Sequence, residues 1–428
     1  LSEPDDTAPE DGGIEQAIPA VLKRSALPKA ITAVALTLLL LLVGALAVGR
    51  YGVLLPQVRL LIEARTDGLK LGRIGRLKIE GLSGDVWRDA RARRLTIRDE
   101  KGVWLEANNV HITWRYLELL RRRFDADLIE AQNIRVIRRP TLAPKGKDRG
   151  LPVSFHIDKA TTRLILEPAF SNARGVYDLD FNLDVERKGG RSGKLAAASV
   201  LHPGDRLDLD FALGARGPMR LTAEATEAKG GALAGAAGFS PDQPFRLSIN
   251  ASGTVSEGRF AATSTSGKLM PLNARGAWTP QGGQAGGRIV LAASSLTQPY
   301  VERFGRDVVF GAAGRRAPNG VYALDAWLRS DAMTLRAWGE GNIGERRLGG
   351  RGLQLDARTA SLSKLIGAGP TMGAAHVVGA ANGDIKVWSF RGTADVADAA
   401  IGDGYALSRI AGPIEIGHDK AGFFAKAK

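Results

Sequence analysis

Few residues in this chain are of types that do chemistry, and those few are not spaced for it. Histidine occurs at His111, His156, His202, His376 and His418, scattered without metal-ligand spacing. Cysteine is absent, which removes thiol nucleophiles, disulfides and thiolate metal sites together. Asp178, Asp180, Asp184 and Glu186 form the densest carboxylate group, but a period of two places them all on one face of a strand, where solvation is the simpler role. No P-loop, G-x-S-x-G or dinucleotide fingerprint stands in its required context, and Gly72 and Gly75 lie between strand patterns as turn residues. The expectation is a protein that is not an enzyme and has no cofactor or metal.

The distinctive charge is basic. Between Arg65 and Arg139 there are 18 basic and 11 acidic residues, a balance of +7, and Arg121, Arg122 and Arg123 stand together. These three are candidates for contact with anionic phospholipid head groups, worth roughly 1 kcal/mol per side chain near a membrane surface. The alternative is the solvated side of a short helix. The net charge of +14 would also suit nucleic acid, but no aromatic stacking platform or binding motif accompanies it, so nucleic acid is not an expected partner.

The elements that would position such contacts start with a charge-free run from Ile31 to Gly49 that includes Leu38, Leu39, Leu40, Leu41 and Leu42. About 20 apolar residues cross a hydrocarbon core of roughly 30 Å as a helix. Ala45-Leu46-Ala47 matches a cleavage signal, yet the run exceeds a signal-peptide core and follows an acidic tail, which favours an uncleaved anchor. Lys23, Arg24 and Lys29 on one side balance Arg50 and Arg59 on the other, leaving orientation open on charge alone. The organisation expected is a disordered cytoplasmic tail (1–28), a transmembrane anchor (29–50), an amphipathic helix (51–68) stopped by Asp67 and Gly68, a membrane-proximal β region (69–140), a linker (141–152), and β repeats (153–428) that continue beyond Lys428.

From Leu69 the apolar period becomes two. Leu77 and Ile79, Leu95 and Ile97, Val103 and Leu105, then Val110, Ile112 and Trp114 each alternate with polar or small residues. So do Tyr177, Leu179, Phe181 and Leu183, and further on Leu207, Leu209, Phe211 and Leu213. With 53 glycines and 6% aromatics the fold class is mainly β, with a few short helices near 116–124, 296–304 and 361–366 and no strict residue-level repeat. One-faced strands close into barrels, stack into sandwiches or curl around their own apolar face. The third arrangement makes these residues the lining of an elongated groove. Such a groove would offset the cost of carrying a diacyl lipid through water, some 30 methylenes at about 0.8 kcal/mol each, without any chemical step.

Residues Asp67 to Pro140 carry a resemblance through Glu80-Gly-Leu-Ser-Gly-Asp-Val-Trp87, Leu95 to Asp99, Gly102-Val-Trp-Leu-Glu106, and Trp114 followed by Leu-Leu-Arg-Arg-Arg. With the anchor just upstream, this stretch resembles the membrane-proximal region of the TamB family, in the AsmA-like group of bridge-type lipid transfer proteins. The resemblance implies a single-pass inner-membrane protein whose curled β-sheet lies in the periplasm of a Gram-negative cell. It further implies phospholipid as cargo and an Omp85-type outer-membrane partner, TamA, for the whole protein. The alternative function is a periplasmic scaffold that holds outer-membrane protein clients for insertion.

Overall fold

The computed structural model describes residues 64, 67–144 and 153–427, apart from 188, 215–216, 318–319, 343–344, 368–370, 385, 402–404 and 420. They form one mainly β structure, a single large curled sheet of 22 strands. The first strands are β1 (Leu69–Lys70), β2 (Arg76–Asp85), β3 (Asp89–Asp99), β4 (Gly102–Trp114), β5 (Arg123–Val136), β6 (Ser154–Leu166), β7 (Gly175–Val185) and β8 (Arg191–Ser199). Next come β9 (Arg206–Leu213), β10 (Pro218–Glu227), β11 (Phe245–Thr254), β12 (Gly258–Ser266), β13 (Leu269–Thr279), β14 (Gly282–Val290) and β15 (Asp307–Arg316). The last are β16 (Tyr322–Arg329), β17 (Met333–Asn342), β18 (Arg347–Thr359), β19 (Ala375–Asp384), β20 (Trp388–Ile401), β21 (Tyr405–Asp419) and β22 (Gly422–Ala427).

Each strand pairs with its neighbours in sequence, antiparallel throughout except for β5 and β6, which run parallel. At about 4.8 Å between strands, 22 strands extend about 100 Å along the curved path. The meander follows from the sequence: runs of period-two alternation are joined by tight turns. At Pro280–Gln281 two residues suffice because Gly282, at φ +147°, brings its backbone against Gly314, where a Cβ would lie 2.0 Å from the carbonyl oxygen.

The parallel step was not legible in the pattern, and it has a consequence. The link after Val136 must return the length of β5, and its first residues run across the ends of β1 to β4. Arg138 grips Asp99 and the Gly102 carbonyl, and Ala143 exchanges backbone hydrogen bonds with the Arg73 main chain and side chain. The Asp99 side chain, 3% exposed, accepts from Arg138 at 2.9 Å and from the amides of Thr141 and Lys101 at 2.6 and 2.8 Å. The Arg138 guanidinium, with these amides, holds the Asp99 carboxyl well below the usual carboxylate range. A depressed folded pKa means the stabilisation is present above the unfolded value, about 4, and is lost as pH falls through the lower folded value. Asp99→Asn should therefore cost about 3 kcal/mol at pH 7, and the gap to wild type should narrow progressively below about pH 4; urea melts across pH 2.5–7 measure this. A gap independent of pH would show that the pair contributes by packing rather than by charge.

The two long margins of the sheet differ. One is made of short hairpin links. On the other, helical pieces follow every fourth strand: Pro168–Ser171 after β6, Ala232–Ala236 after β10, Val301–Phe304 after β14 and Leu362–Ile366 after β18. They begin at 168, 232, 301 and 362, hence 64, 69 and 61 residues apart. The sequence shows no strict repeat, so this four-strand period emerges only from the pairing. The helices near 296–304 and 361–366 are found, and Ser361 caps the latter by accepting from the Lys364 amide. The expected helix at 116–124 is a 3-10 turn, Tyr116–Arg121, ended by Arg122 in the left-handed region (φ 57°), and β5 begins at Arg123.

No helix among the described residues is long and apolar enough to cross a membrane. The run Ile31–Gly49 lies outside them, as do residues 1–28 and most of 51–68 and 145–152. Of the 51–68 segment, Ala64 is helical and Asp67–Gly68 form a turn with Gly68 at φ +85°.

Candidate functional site: the apolar inner face

Among the described residues no second sheet covers the apolar face, so its burial arises from the curl of the sheet itself. That burial is graded along the chain. In β2 to β8 the inner side chains merge into one packed core: Leu77, Ile79, Leu95, Ile97, Leu105, Val110, Ile112, Trp114, Tyr177 and Leu183 are all buried, with Leu179 and Phe181 packed against them. From β9 the same face is mostly half-buried, as at Leu207, Leu209, Phe211 and Leu213, with Ala223, Ala225, Phe245 and Ala274 buried along it. The sheet is thus rolled shut at its first strands and opens beyond β8. Val103 departs from the expected lining. A bulge opposite Ile97 and Arg98 turns both Trp104 and Leu105 inward (3% and 2% exposed) and leaves Val103 outside at 36%.

Register shows how continuous the face is. Directly opposed residues form a row that starts at Ala90 and passes through Ile112, Ile129, Ala160, Phe181, Leu195, Leu209, Ala223, Ile249 and Ala262. It continues through Ala274, Gly287, Phe310, Leu328, Leu335, Ala357, Val377 and Ala394 to Gly412. From β3 to β21 no member carries a polar side chain. A second row, two residues away, is equally apolar from Leu183, Gly193, Phe211, Leu221, Ala251 and Phe260 onward to Leu355, Gly379, Gly392 and Ile414. The outer-face row that flanks the first row on the side away from the second is mostly polar: Asp180, Asp208, Glu224, Ser248, Thr263, Asn273, Arg288, Arg329, Thr334, Arg358, His376 and Asp395.

Outer charges pair across strands, as in Arg163 with Asp178, Arg336 with Asp325, Arg391 with Glu415 and Arg409 with Asp395, at 2.6–2.9 Å. Exposed pairs of this kind contribute little to stability. Their larger role is to make the outer face unfit for the core, which fixes the register.

The inner face also has small residues where large ones would block it. A Cβ built on Gly258 would lie 2.5 Å from the Trp278 ring, on Gly276 2.4 Å from the Phe260 ring, and on Gly379 2.6 Å from the Phe390 ring. Gly258 is the direct cross-strand partner of Trp278, and Gly276 of Phe260. Each ring lies over a glycine instead of standing up from the sheet, so the inner surface keeps a low floor. Gly276→Ala should cost about 1–3 kcal/mol, because the added methyl meets both the Phe260 ring and the Gln284 carbonyl, 2.8 Å away. Phe260→Ala in the same chain should recover part of that loss, and a double-mutant cycle of denaturant melts reads the coupling. Additive effects would mean that ring and glycine act separately.

The basic cluster is less free than its sequence implies. Arg121 pairs with Glu118 at 2.8 Å and Arg123 with Asp125 at 3.3 Å, whereas Arg122 has no ion pair among the described residues. The histidines stand apart from one another: His111 beside Asp89 and Glu130, His156 between Asp158 and Asp184, His202 near Asp205, His376 against Asp356, and His418 on the Lys386 carbonyl. No group of three potential metal-binding side chains is found among the described residues.

Sequence reasoning missed most of the inner face beyond β9, since Ala223, Ala262, Ala274, Gly287, Ala357 and Ala394 are too small to register as an apolar stripe. Their polar neighbours at period two, such as Thr263, Asn273 and Arg288, were the available signal. Comparison of the chain with protein families, curated proteins and solved structures gives no match.

Proposed function

We propose that the inner face beyond β8 is an acyl-chain groove, and that the chain is a membrane-anchored conduit for phospholipid. The observation that carries this reading is the pair of unbroken apolar rows, which run across the strands and therefore along the length of the sheet. Half-buried side chains there leave apolar surface without a partner from the chain, and surface of that kind gains about 25 cal/mol per Å² when an acyl chain covers it. Because adjacent rows are alike, a lipid can shift along the groove between sites of similar energy, with its head group in water. No bond is made or broken. The packed core of β2 to β8 closes the first end of the face, so lipid enters from the side, past β8.

In this reading the run Ile31–Gly49 is a single-pass inner-membrane anchor and the sheet lies in the periplasm, as in the TamB-like, AsmA-like proteins that residues 67–140 resemble. The outer-membrane partner of the whole protein is then of the Omp85 type. The test is position-resolved photo-crosslinking in cells that express the full chain. A benzophenone side chain replaces Leu221, on the inner face, or Arg220, its exposed outer neighbour. Lipid adducts on the peptide containing position 221 and none at 220 are expected. Equal or absent adducts at both overturn the conduit, and protein adducts at 221 transfer the reading to a scaffold for outer-membrane clients.

A further inference from the structure

The 3-10 turn Tyr116–Arg121 exposes the wrong residues for a turn that only connects two strands. With three residues per turn, side chains at i and i+3 align. Tyr116 and Leu119 form one line and pack on the core, where the Tyr116 ring meets Trp87 at 5.3 Å between centroids. Glu118 and Arg121 form the second line and pair with each other at 2.8 Å. Leu117 and Leu120 form the third, and they point away from the protein at 59% and 83% exposure. Two stacked leucines are thereby held out on a rigid base that has its own aromatic pair.

The surroundings are basic. Arg88, Arg115 and Arg122 are exposed beside the turn, and Arg88 and Arg122 have no ion pair among the described residues. The region from Arg65 to Arg139 carries 18 basic and 11 acidic residues, or +7. Apolar side chains at a tip, Trp and Tyr at its base and arginines around it are the ingredients of an interfacial anchor on an anionic bilayer. A bilayer is also within reach. Gly49 ends the charge-free run and Asp67 opens the turn before β1, a separation of 18 residues that spans at most about 60 Å.

We propose that Leu117 and Leu120 dip into the acyl boundary of the same bilayer that holds the anchor, with Arg122 and Arg88 at the head groups. This rests on the reading of residues 31–49 as a membrane anchor and is independent of what occupies the groove. It would fix the orientation of the first strands against the membrane, with the hairpin margin of β4 and β5 facing the lipid.

The absence of cysteine makes the test direct. Full chains carrying Leu120→Cys, or Gln281→Cys in a distant turn, are labelled with an environment-sensitive dye and reconstituted into vesicles of phosphatidylethanolamine and phosphatidylglycerol. The expected result is blue-shifted emission at position 120, quenched several-fold by lipids with nitroxide-labelled acyl chains, and water-like emission at 281. Loss of that quenching in pure phosphatidylcholine vesicles would mark the contribution of the arginines, and undiminished quenching there would overturn it. Water-like emission at 120 in chains that float with the vesicles overturns the proposal alone. Blue-shifted emission that nitroxide lipids do not quench also overturns it, since the leucines would then be covered by protein. Chains that fail to float overturn both the anchor and the turn.

Discussion

Leu209→Asp is expected to reduce phospholipid bound per chain at least tenfold while leaving the sheet folded. Leu209 sits in the first apolar row, between Leu195 on β8 and Ala223 on β10, where the closed core gives way to the half-buried face. A carboxylate there faces two choices. In an empty groove it is hydrated and costs the fold little, because the position is half-buried and not sealed. In an occupied groove it must be dehydrated against acyl chains, which costs several kcal/mol for an unpaired charge and shifts the balance toward the empty state. Quantifying lipid per chain by mass spectrometry in purified wild type and variant, with the same anchor and the same detergent wash, isolates the groove-bound fraction. Circular dichroism and melting temperature establish that the variant is folded. A folded variant with wild-type lipid content would sink the conduit reading. The matched outer change Asp208→Leu, one residue away on the exposed face, should leave lipid content unaltered.

Glu227→Ala is expected to be the most destabilising single change of the middle strands, by about 3–5 kcal/mol. Glu227 ends β10 on the inner side and is 1% exposed. Its carboxylate accepts from the Tyr177 hydroxyl at 2.7 Å, the Leu233 amide at 2.8 Å and the Ala234 amide at 2.7 Å. It therefore ties β7, three strands away, to the helical piece Ala232–Ala236 that closes the margin. Arg139 donates to the carbonyls of Gly235 and Ala236 at the other end of that piece, with its guanidinium over the Phe170 ring. Removing the carboxylate strands two amides and a hydroxyl out of contact with water. Burial, with Glu227 alongside, pushes the Tyr177 hydroxyl far above its ordinary range, so Tyr177 remains a donor at any working pH. Glu227→Gln keeps an acceptor for one or two of the three donors and should cost markedly less. Urea melts rank the three proteins, and equal losses in Ala and Gln would assign the effect to the charge alone.

The fold and the site were legible to different depths. Period-two alternation at Leu77 to Trp114 and at Tyr177 to Leu213 was enough to locate strands and to separate a wet face from a dry one, because a strand exposes alternate side chains to opposite sides whatever it pairs with. The charge-free run Ile31–Gly49 was equally plain, since a lack of charged side chains is a property of the local chain. Ser361, whose side chain caps the helical piece Leu362–Ile366, marked a helix start for the same local reason.

What pairs with what is not local. The parallel step at β5 and β6 depends on where the link after Val136 finds partners, in Asp99 and Arg73 far back in the chain. The bulge that places Trp104 and Leu105 on one side depends on β3. The merging of β2 to β8 into a core, where later strands stay half-open, depends on curvature summed over many strands. Gly258 and Gly276, opposite Trp278 and Phe260, carry no signal of their own in the sequence, yet each receives a ring from the neighbouring strand. Sequence alone therefore determined that the chain has one apolar face in many short strands behind a charge-free run of 19 residues. Only the tertiary structure decided that those faces join in unbroken rows and where the sheet closes, because register and curvature are set by contacts between residues distant in the chain.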